Sequence, residues 1–224
     1  MSERPGIAVV DYGLGNIYSV RSACAVAGMD AQCTADPAVM ATADAVILPG
    51  IGAFGNAMQA IRELSLVDAI RRVAADGRVL LGICLGMQLL MESSDEFGSH
   101  AGLGLIRGSV VRFPDEAVDG SRLKVPHVGW TPIDAPVEGR WRAALFDGIP
   151  QSECMYFVHS HHVRPSSSAL VLAESVYGGV SFCSAIGAGN VLGCQFHPER
   201  SGPAGLRIYH NLAAMLRAVP RGRS

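Results

Sequence analysis

Aromatic residues are scarce in this chain of 224 residues: Phe, Tyr and Trp make up 6% of it, beside 26 glycines. That balance speaks against an all-β sandwich and for an α/β protein with many tight strand-to-helix turns. Long apolar runs are missing as well. The longest, Val79 to Met91, is broken by Gly82, Gly86 and Gln88, and a membrane helix needs about 20 apolar residues in succession. Residues 1–5 are polar, and Ile7 to Val10 is too short for the core of a signal peptide. Basic clusters are absent: 18 Lys and Arg stand against 20 Asp and Glu, for a net charge of −2. Neither nucleic acid nor a membrane is therefore expected as a partner. Arg217, Arg221 and Arg223 read as a solvated, frayed end. The six cysteines form no CxxC pair and show no metal-ligand spacing. Five of them (Cys24, Cys33, Cys154, Cys183 and Cys194) read as buried free thiols, which points to a reducing, cytoplasmic setting.

What is present begins with alternation. Gly6 to Asp11, Ala31 to Thr34, Ala45 to Leu48 and Arg78 to Ile83 read as short buried strands. Asn16 to Ala27, Phe54 to Arg62 and Leu66 to Ala75 read as helices between them, and Gly86 to Glu92 as the opening of another. Such alternation predicts a parallel sheet covered on both faces. The second half differs. Ser109 to Phe113, His127 to Ile133, Met155 to Val163, Leu170 to Val176, Phe182 to Ile186 and Val191 to Gln195 read as strands with few helices between. These are expected to return antiparallel to the sheet before a last helix, Ala204 to Ala218. Asp115 to Ser121 and Pro165 to Ser168 read as loops, and no domain boundary is visible.

The most informative stretch is GICLGMQ, residues 82–88. It leaves an apolar strand and enters a helix, so Cys84 is expected on a sharp turn above the sheet edge. The flanking glycines allow the bend and leave room for a substrate. A helix N-terminus just beyond the thiol favours thiolate. The N–H of Leu85 is placed to donate to an oxyanion.

A base is found in QFHPE, residues 195–199. His197 stands at the C-terminal end of a strand, where α/β active sites gather. Glu199, two residues on, can fix the tautomer of its imidazole. A thiolate–imidazolium pair would then be available for acyl transfer. His127, His159, His161 and His162 read as structural, and without an acidic or Cys residue at ligand spacing no metal is expected there. A third element, PGIGAF at 49–54, ends the third strand. Gly50 and Gly52 leave the backbone of Ile51 free to swing, and its N–H groups can complete an oxyanion hole.

With these motifs in order, the chain resembles the class I glutamine amidotransferases over nearly its whole length. DYGLGN (11–16) with Ser19-Val20, LPGIGAF, GICLGMQLL, VPHVGW (125–130), YFVHS (156–160) and GCQFHPERSG (193–202) are similar to the glutaminase subunits of imidazole glycerol phosphate synthases. The resemblance implies one domain over residues 1–224, with a three-layer α/β fold: a central, mostly parallel sheet flanked by helices, with added antiparallel strands. It implies hydrolysis of L-glutamine by Cys84, His197 and Glu199 through a γ-glutamyl thioester. Gly50, Ile51, Gly52 and Leu85 would serve the oxyanion, and Gln88, Glu96 and the backbone at Ser160 and His161 the glutamine zwitterion. Read without the family, Glu96 in SSDEF is an ordinary solvated carboxylate. No cofactor is implied.

The partner implied is a cyclase subunit, a (β/α)8 barrel that receives the ammonia and forms imidazole glycerol phosphate in histidine biosynthesis. Family glutaminases are nearly silent without it, and a rotating peptide at Ile51 offers a physical route to that silence. Asn16, Ser19, Trp130, Tyr156 and Arg200 are expected near the cyclase, although Trp130 reads equally well as core. Thr131 and Arg200 depart from the Asn and Lys usual in the family, and His161 and His162 stand where an aromatic is frequent. Rival readings are the glutaminase of another system (pyridoxal phosphate synthase or GMP synthetase), a catalytically silent binding module, and a cysteine peptidase on the same scaffold.

Overall fold

The computed structural model describes residues 4–137, 141 and 143–218. Arg221 and Arg223 lie outside the described residues. Arg217 lies within them and donates to the Gly28 carbonyl at 3.2 Å rather than standing free.

Four strands of the first half, β1 (Gly6–Val10), β2 (Asp30–Thr34), β3 (Ala45–Gly50) and β4 (Val79–Cys84), pair in parallel in the order β2-β1-β3-β4. β13 (Val191–Cys194) adds itself in parallel beside β4. Every residue of β3 is buried, as a strand covered on both faces requires. Alternation then divides the core. Ile7 and Val9 face one layer with Val20 and Cys24 of α1 (Ile17–Val26) and Ile208 and Leu212 of α6 (Gly202–Ala218). Ala8 and Val10 face the other, with Met40 of α2 (Pro37–Thr42), Met58 and Ile61 of α3 (Phe54–Glu63), and Ile70 and Val73 of α4 (Val67–Ala75). The result is the expected three-layer arrangement.

Beyond β13 the sheet continues antiparallel through β12 (Val180–Ala188), β10 (His161–Pro165) and β7 (Ile106–Arg112), with β11 (Val171–Tyr177) paired to β12. Two expectations need correction here. The helix after Cys84, α5, stops at Leu89, and Met91–Ser94 forms a strand, β5, beside β7 and the short β6 (His100–Ala101). Its backbone is captured: the Leu90 carbonyl accepts from Leu105 N at 2.9 Å and Ile106 N at 3.0 Å, which ends the helical ladder. The run Met155 to Val163 is likewise not one strand. Glu153–His159, β9, pairs with β8 (His127–Ile133) in a separate two-stranded sheet, and the chain crosses to β10 at Ser160. Cys154 and Cys33 also depart from expectation, Cys154 being exposed and Cys33 half-buried; Cys24, Cys183 and Cys194 are buried free thiols.

Candidate active site

Cys84 ends β4 with φ 54° and ψ −112°, a left-handed conformation rarely held by a residue with a side chain. Close packing imposes it. A side chain at Gly86 would run into the Leu48 carbonyl, and one at Gly82 would meet the Gly86 backbone at 2.7 Å. The glycines thus let α5 lie directly against β3 and β4, and the sharp turn at Cys84 follows. β3 and β4 run in register to their ends, with Gly50 opposite Cys84. The PGIG turn is therefore beside the sulfur, as parallel strand ends dictate.

The neighbouring parallel strand, β13, delivers His197 just past its end. His197 N donates to the Tyr156 carbonyl at 2.9 Å, and Ser201 Oγ donates to the His197 carbonyl at 2.7 Å. His197 Nδ1 lies 2.8 Å from Glu199 Oε1, with both side chains almost wholly buried. Nε2 has no hydrogen-bond partner among the described residues, and the Cys84 sulfur is the reactive group that acts on this ring. Burial alone would depress the His197 pKa; the Cys84 sulfur and the Glu199 carboxylate outweigh it and raise the pKa to about 10. A histidine that keeps its proton so firmly is suited to be the imidazolium of a thiolate–imidazolium pair. Cys84 itself is 5% exposed. Its Sγ donates to the Val158 carbonyl at 3.8 Å and accepts from Gln195 Nε2 at 3.7 Å.

A cavity of about 250 Å³ opens over Cys84, walled by Ile51, Gly52, Leu85, Gln88, Glu96, Pro126, Val158, His159, Ser160 and His161. All but one of the residues expected around a substrate are in this wall. The exception, Gly50, lies beneath it, packed against Leu85 and Gly86. Glu96 is no solvated loop carboxylate. Its Oε2 accepts from the N–H of Phe54, the first residue of α3, at 2.6 Å, and Oε1 lies 3.2 Å from His161 Nδ1. Gln88 is buried and donates to the His161 carbonyl at 2.8 Å. Ile51 is 47% exposed at the rim, and Gly52 takes φ +97°. A larger open groove of about 650 Å³ runs along β2 at the far sheet edge and holds none of these residues.

The residues expected at a partner divide into two groups. Trp130 and Tyr156 sit opposite each other in the β8–β9 register, with ring centroids 5.9 Å apart. The Arg200 guanidinium lies 4.6 Å from the centre of the Tyr156 ring. Trp130 is 56% exposed, so the core reading of it is wrong. Asn16 and Ser19 are half-buried and spend polar groups locally: Asn16 Oδ1 caps α1 by accepting from Ser19 N at 3.4 Å. Among the described residues no group of three or more His, Cys, Asp or Glu is arranged to hold a metal ion. No described helix is long and apolar enough to cross a membrane. Gln195 is absent from the expected site; a glutamine in the apolar run VLGCQF was the available signal, since a buried amide needs partners.

An elbow cysteine and a buried His–Glu pair beside a glycine-rich strand end and a small cavity, on a doubly wound sheet, are the parts that cysteine-dependent acyl transfer requires. The chain belongs to the class-I glutamine amidotransferase family, whose sequence model matches residues 8–215. Within that family it is similar to the imidazole glycerol phosphate synthase subunit HisH of Syntrophotalea carbinolica, 46% identical over 93% of this chain and 100% of the relative. The HisH of Geobacillus thermodenitrificans is 43% identical over 96% of this chain and 99% of the relative. PurLQS from Thermotoga maritima shares the fold with TM-score 0.72 at 20% identity, covering 96% of this chain and 100% of that one. A solved glutamine amidotransferase shares it with TM-score 0.69 at 20% identity, over 95% and 99% of the two chains.

Proposed function

We propose that this protein is the glutaminase subunit of an imidazole glycerol phosphate synthase, hydrolysing L-glutamine and passing ammonia to a cyclase subunit. The observation that carries the reading is the buried His197–Glu199 pair, 2.8 Å apart, on whose imidazole the elbow cysteine Cys84 acts. The similarity to HisH subunits over nearly the full length of both chains supports the particular pathway.

In the proposed reaction the Cys84 thiolate attacks the side-chain amide carbon of glutamine. The carbonyl π electrons move to oxygen, where backbone N–H groups of Leu85 and of the Ile51–Gly52 turn receive the charge. The His197 imidazolium gives its proton to the departing nitrogen, the C–N bond breaks and ammonia leaves, with a γ-glutamyl thioester on Cys84. His197, now neutral, takes a proton from water. The hydroxide attacks the thioester, the C–S bond breaks, and glutamate departs from a regenerated thiolate–imidazolium pair. Glu96 receives the α-ammonium of the substrate, and the backbone at Ser160 and His161 its carboxylate. Gln88 Oε1 stays free to accept, because its nitrogen is engaged.

Exposed Trp130 and Arg200, with half-buried Tyr156 between them, form the array on which the cyclase docks, in keeping with the weight of Trp, Tyr and Arg in interfaces. Docking shifts the Ile51 turn, which is exposed at the cavity rim and flanked by glycines, so that an oxyanion donor is supplied only in the complex. The deciding assay is glutamate release by the wild type and by Cys84→Ala, each alone and with a cyclase subunit and its nucleotide ligand. Release by the wild type only in the complex, and none by the variant, supports all three parts. A wild type equally active alone removes the partner assignment, and activity in Cys84→Ala removes the nucleophile.

A further inference from the structure

The backbone carbonyl of His161 accepts two side-chain hydrogen bonds, one from His159 Nδ1 at 2.8 Å and one from Gln88 Nε2 at 2.8 Å. A carbonyl oxygen has no proton to give, so it fixes the direction of both bonds. His159 must carry its proton on Nδ1, and Gln88 must turn its nitrogen inward.

The consequence runs outward first. His159 Nε2 is then an acceptor, and the group facing it at 3.1 Å is His127 Nδ1, which has to donate. His127 Nε2 in turn becomes an acceptor and takes the hydroxyl proton of Thr131 at 2.8 Å. Both rings are neutral in this arrangement. That agrees with burial, which pushes the His127 pKa down to about 4 and the His159 pKa to about 3.

It also runs inward. The second hydrogen on Gln88 Nε2 goes to Gln195 Oε1 at 3.1 Å. Gln195 is wholly buried, and with its oxygen committed its nitrogen points the other way, to Cys84 Sγ at 3.7 Å. The sulfur's second neighbour is the Val158 carbonyl at 3.8 Å, which suits a thiol that donates but repels a thiolate. The Gln195 amide offsets that repulsion once the proton has left.

We propose that Gln195 is a catalytic residue, its side-chain N–H donating to the Cys84 sulfur and favouring thiolate over thiol. Gln88 is a positioning residue: tied to the His161 carbonyl, it holds this amide the right way round. The inference rests on the proposed role of Cys84 as nucleophile.

The test is the pH dependence of Cys84 alkylation by iodoacetamide, read by mass spectrometry on the Cys84 peptide so that the other cysteines do not contribute. Gln195→Met keeps the volume and removes the donor. Loss of one hydrogen bond to a charged group moves the alkylation midpoint up by about 1 pH unit and lowers kcat for glutamine about tenfold. KM changes by less than about threefold, because the lost contact is to the nucleophile and not to the substrate. A folded Gln195→Met protein with the wild-type midpoint overturns the proposal. Should that variant fail to fold, Gln195→Glu decides: an acceptor beside the sulfur raises the midpoint, and an unchanged or lower one overturns the proposal. Failure of the nucleophile reading shows separately, as glutamate release that persists in Cys84→Ala.

Discussion

The hydroxyl of Tyr12 donates a 2.7 Å hydrogen bond to the carbonyl oxygen of Pro49, tying the first loop of the chain to the strand end that carries Gly50 and Ile51. Gly15, in the same loop, lies against the Pro49 ring, which a methyl group in its place would touch at 3.5 Å, an ordinary contact distance. The DYGLGN segment therefore braces the proposed oxyanion turn from behind. Tyr12→Phe removes the brace at a stability cost of about 1 kcal/mol. The freed turn samples the competent orientation more often, so the partner-free glutaminase rate rises and the stimulation by the cyclase shrinks. Steady-state rates with and without partner check this; a variant with the wild-type stimulation ratio contradicts it.

Glu199→Gln removes the charge that helps His197 keep its proton. A drop in kcat of about a thousandfold is expected, from loss of tautomer control and of imidazolium stabilisation. The alkaline limb of the pH profile is the sharper readout. With His197 raised to about 10, the wild type keeps its imidazolium well past neutrality, and kcat/KM declines only as pH passes that value. In Glu199→Gln the limb moves to lower pH. A limb that does not move means that Glu199 does not set the protonation of His197.

His127 and His159 bear on acid stability. Burial holds both neutral in the folded protein, with pKa values near about 4 and about 3 against an ordinary 6.5. Below 6.5 the unfolded chain binds protons that the folded one refuses, so stability falls as pH drops from 6.5 toward 4. Denaturant midpoints at pH 7.5 and pH 5 measure the loss. His127→Gln, which cannot titrate, narrows the gap between them; a gap as wide as in the wild type shows that His127 is not a source of it.

Trp130 and Tyr156 stand opposite each other on the two-stranded sheet, and the Tyr156 carbonyl accepts from the backbone of His197. Trp130→Ala is expected to weaken cyclase binding by about thirtyfold, as loss of a Trp anchor does. The circular dichroism spectrum should not change, since the side chain is exposed in the isolated chain. Titration calorimetry against the cyclase subunit measures the effect, and an unchanged affinity places the interface elsewhere.

The parallel half of the sheet was legible because strands buried on both faces are written as unbroken apolar runs, such as AVIL in β3 and VLLGIC in β4. α2 was not, being a helix of only six residues opened by Pro37 after the Asp36 cap. β5 was misread because LLMESS keeps a helical look while its backbone is claimed by partners distant in sequence. The split of β9 from β10 at Ser160 was hidden for a related reason. Val158 to Val163 carries the same mixture of Val and His on both sides of Ser160, with no turn residue such as Gly or Pro to mark the crossing, and only tertiary pairing tells the two sheets apart. In the site, the elbow glycines and the His-x-Glu spacing carried Cys84, His197 and Glu199. Gln195 was missed because its significance lies in bond directions that no spacing encodes.

The left-handed backbone at Cys84 bears on stability. Glycine would hold φ 54° without strain, whereas a side chain there costs about 1–3 kcal/mol. Cys84→Gly should consequently melt above the wild type, provided the small volume it vacates costs less than the strain it relieves. At this position the requirements of folding and of chemistry pull apart.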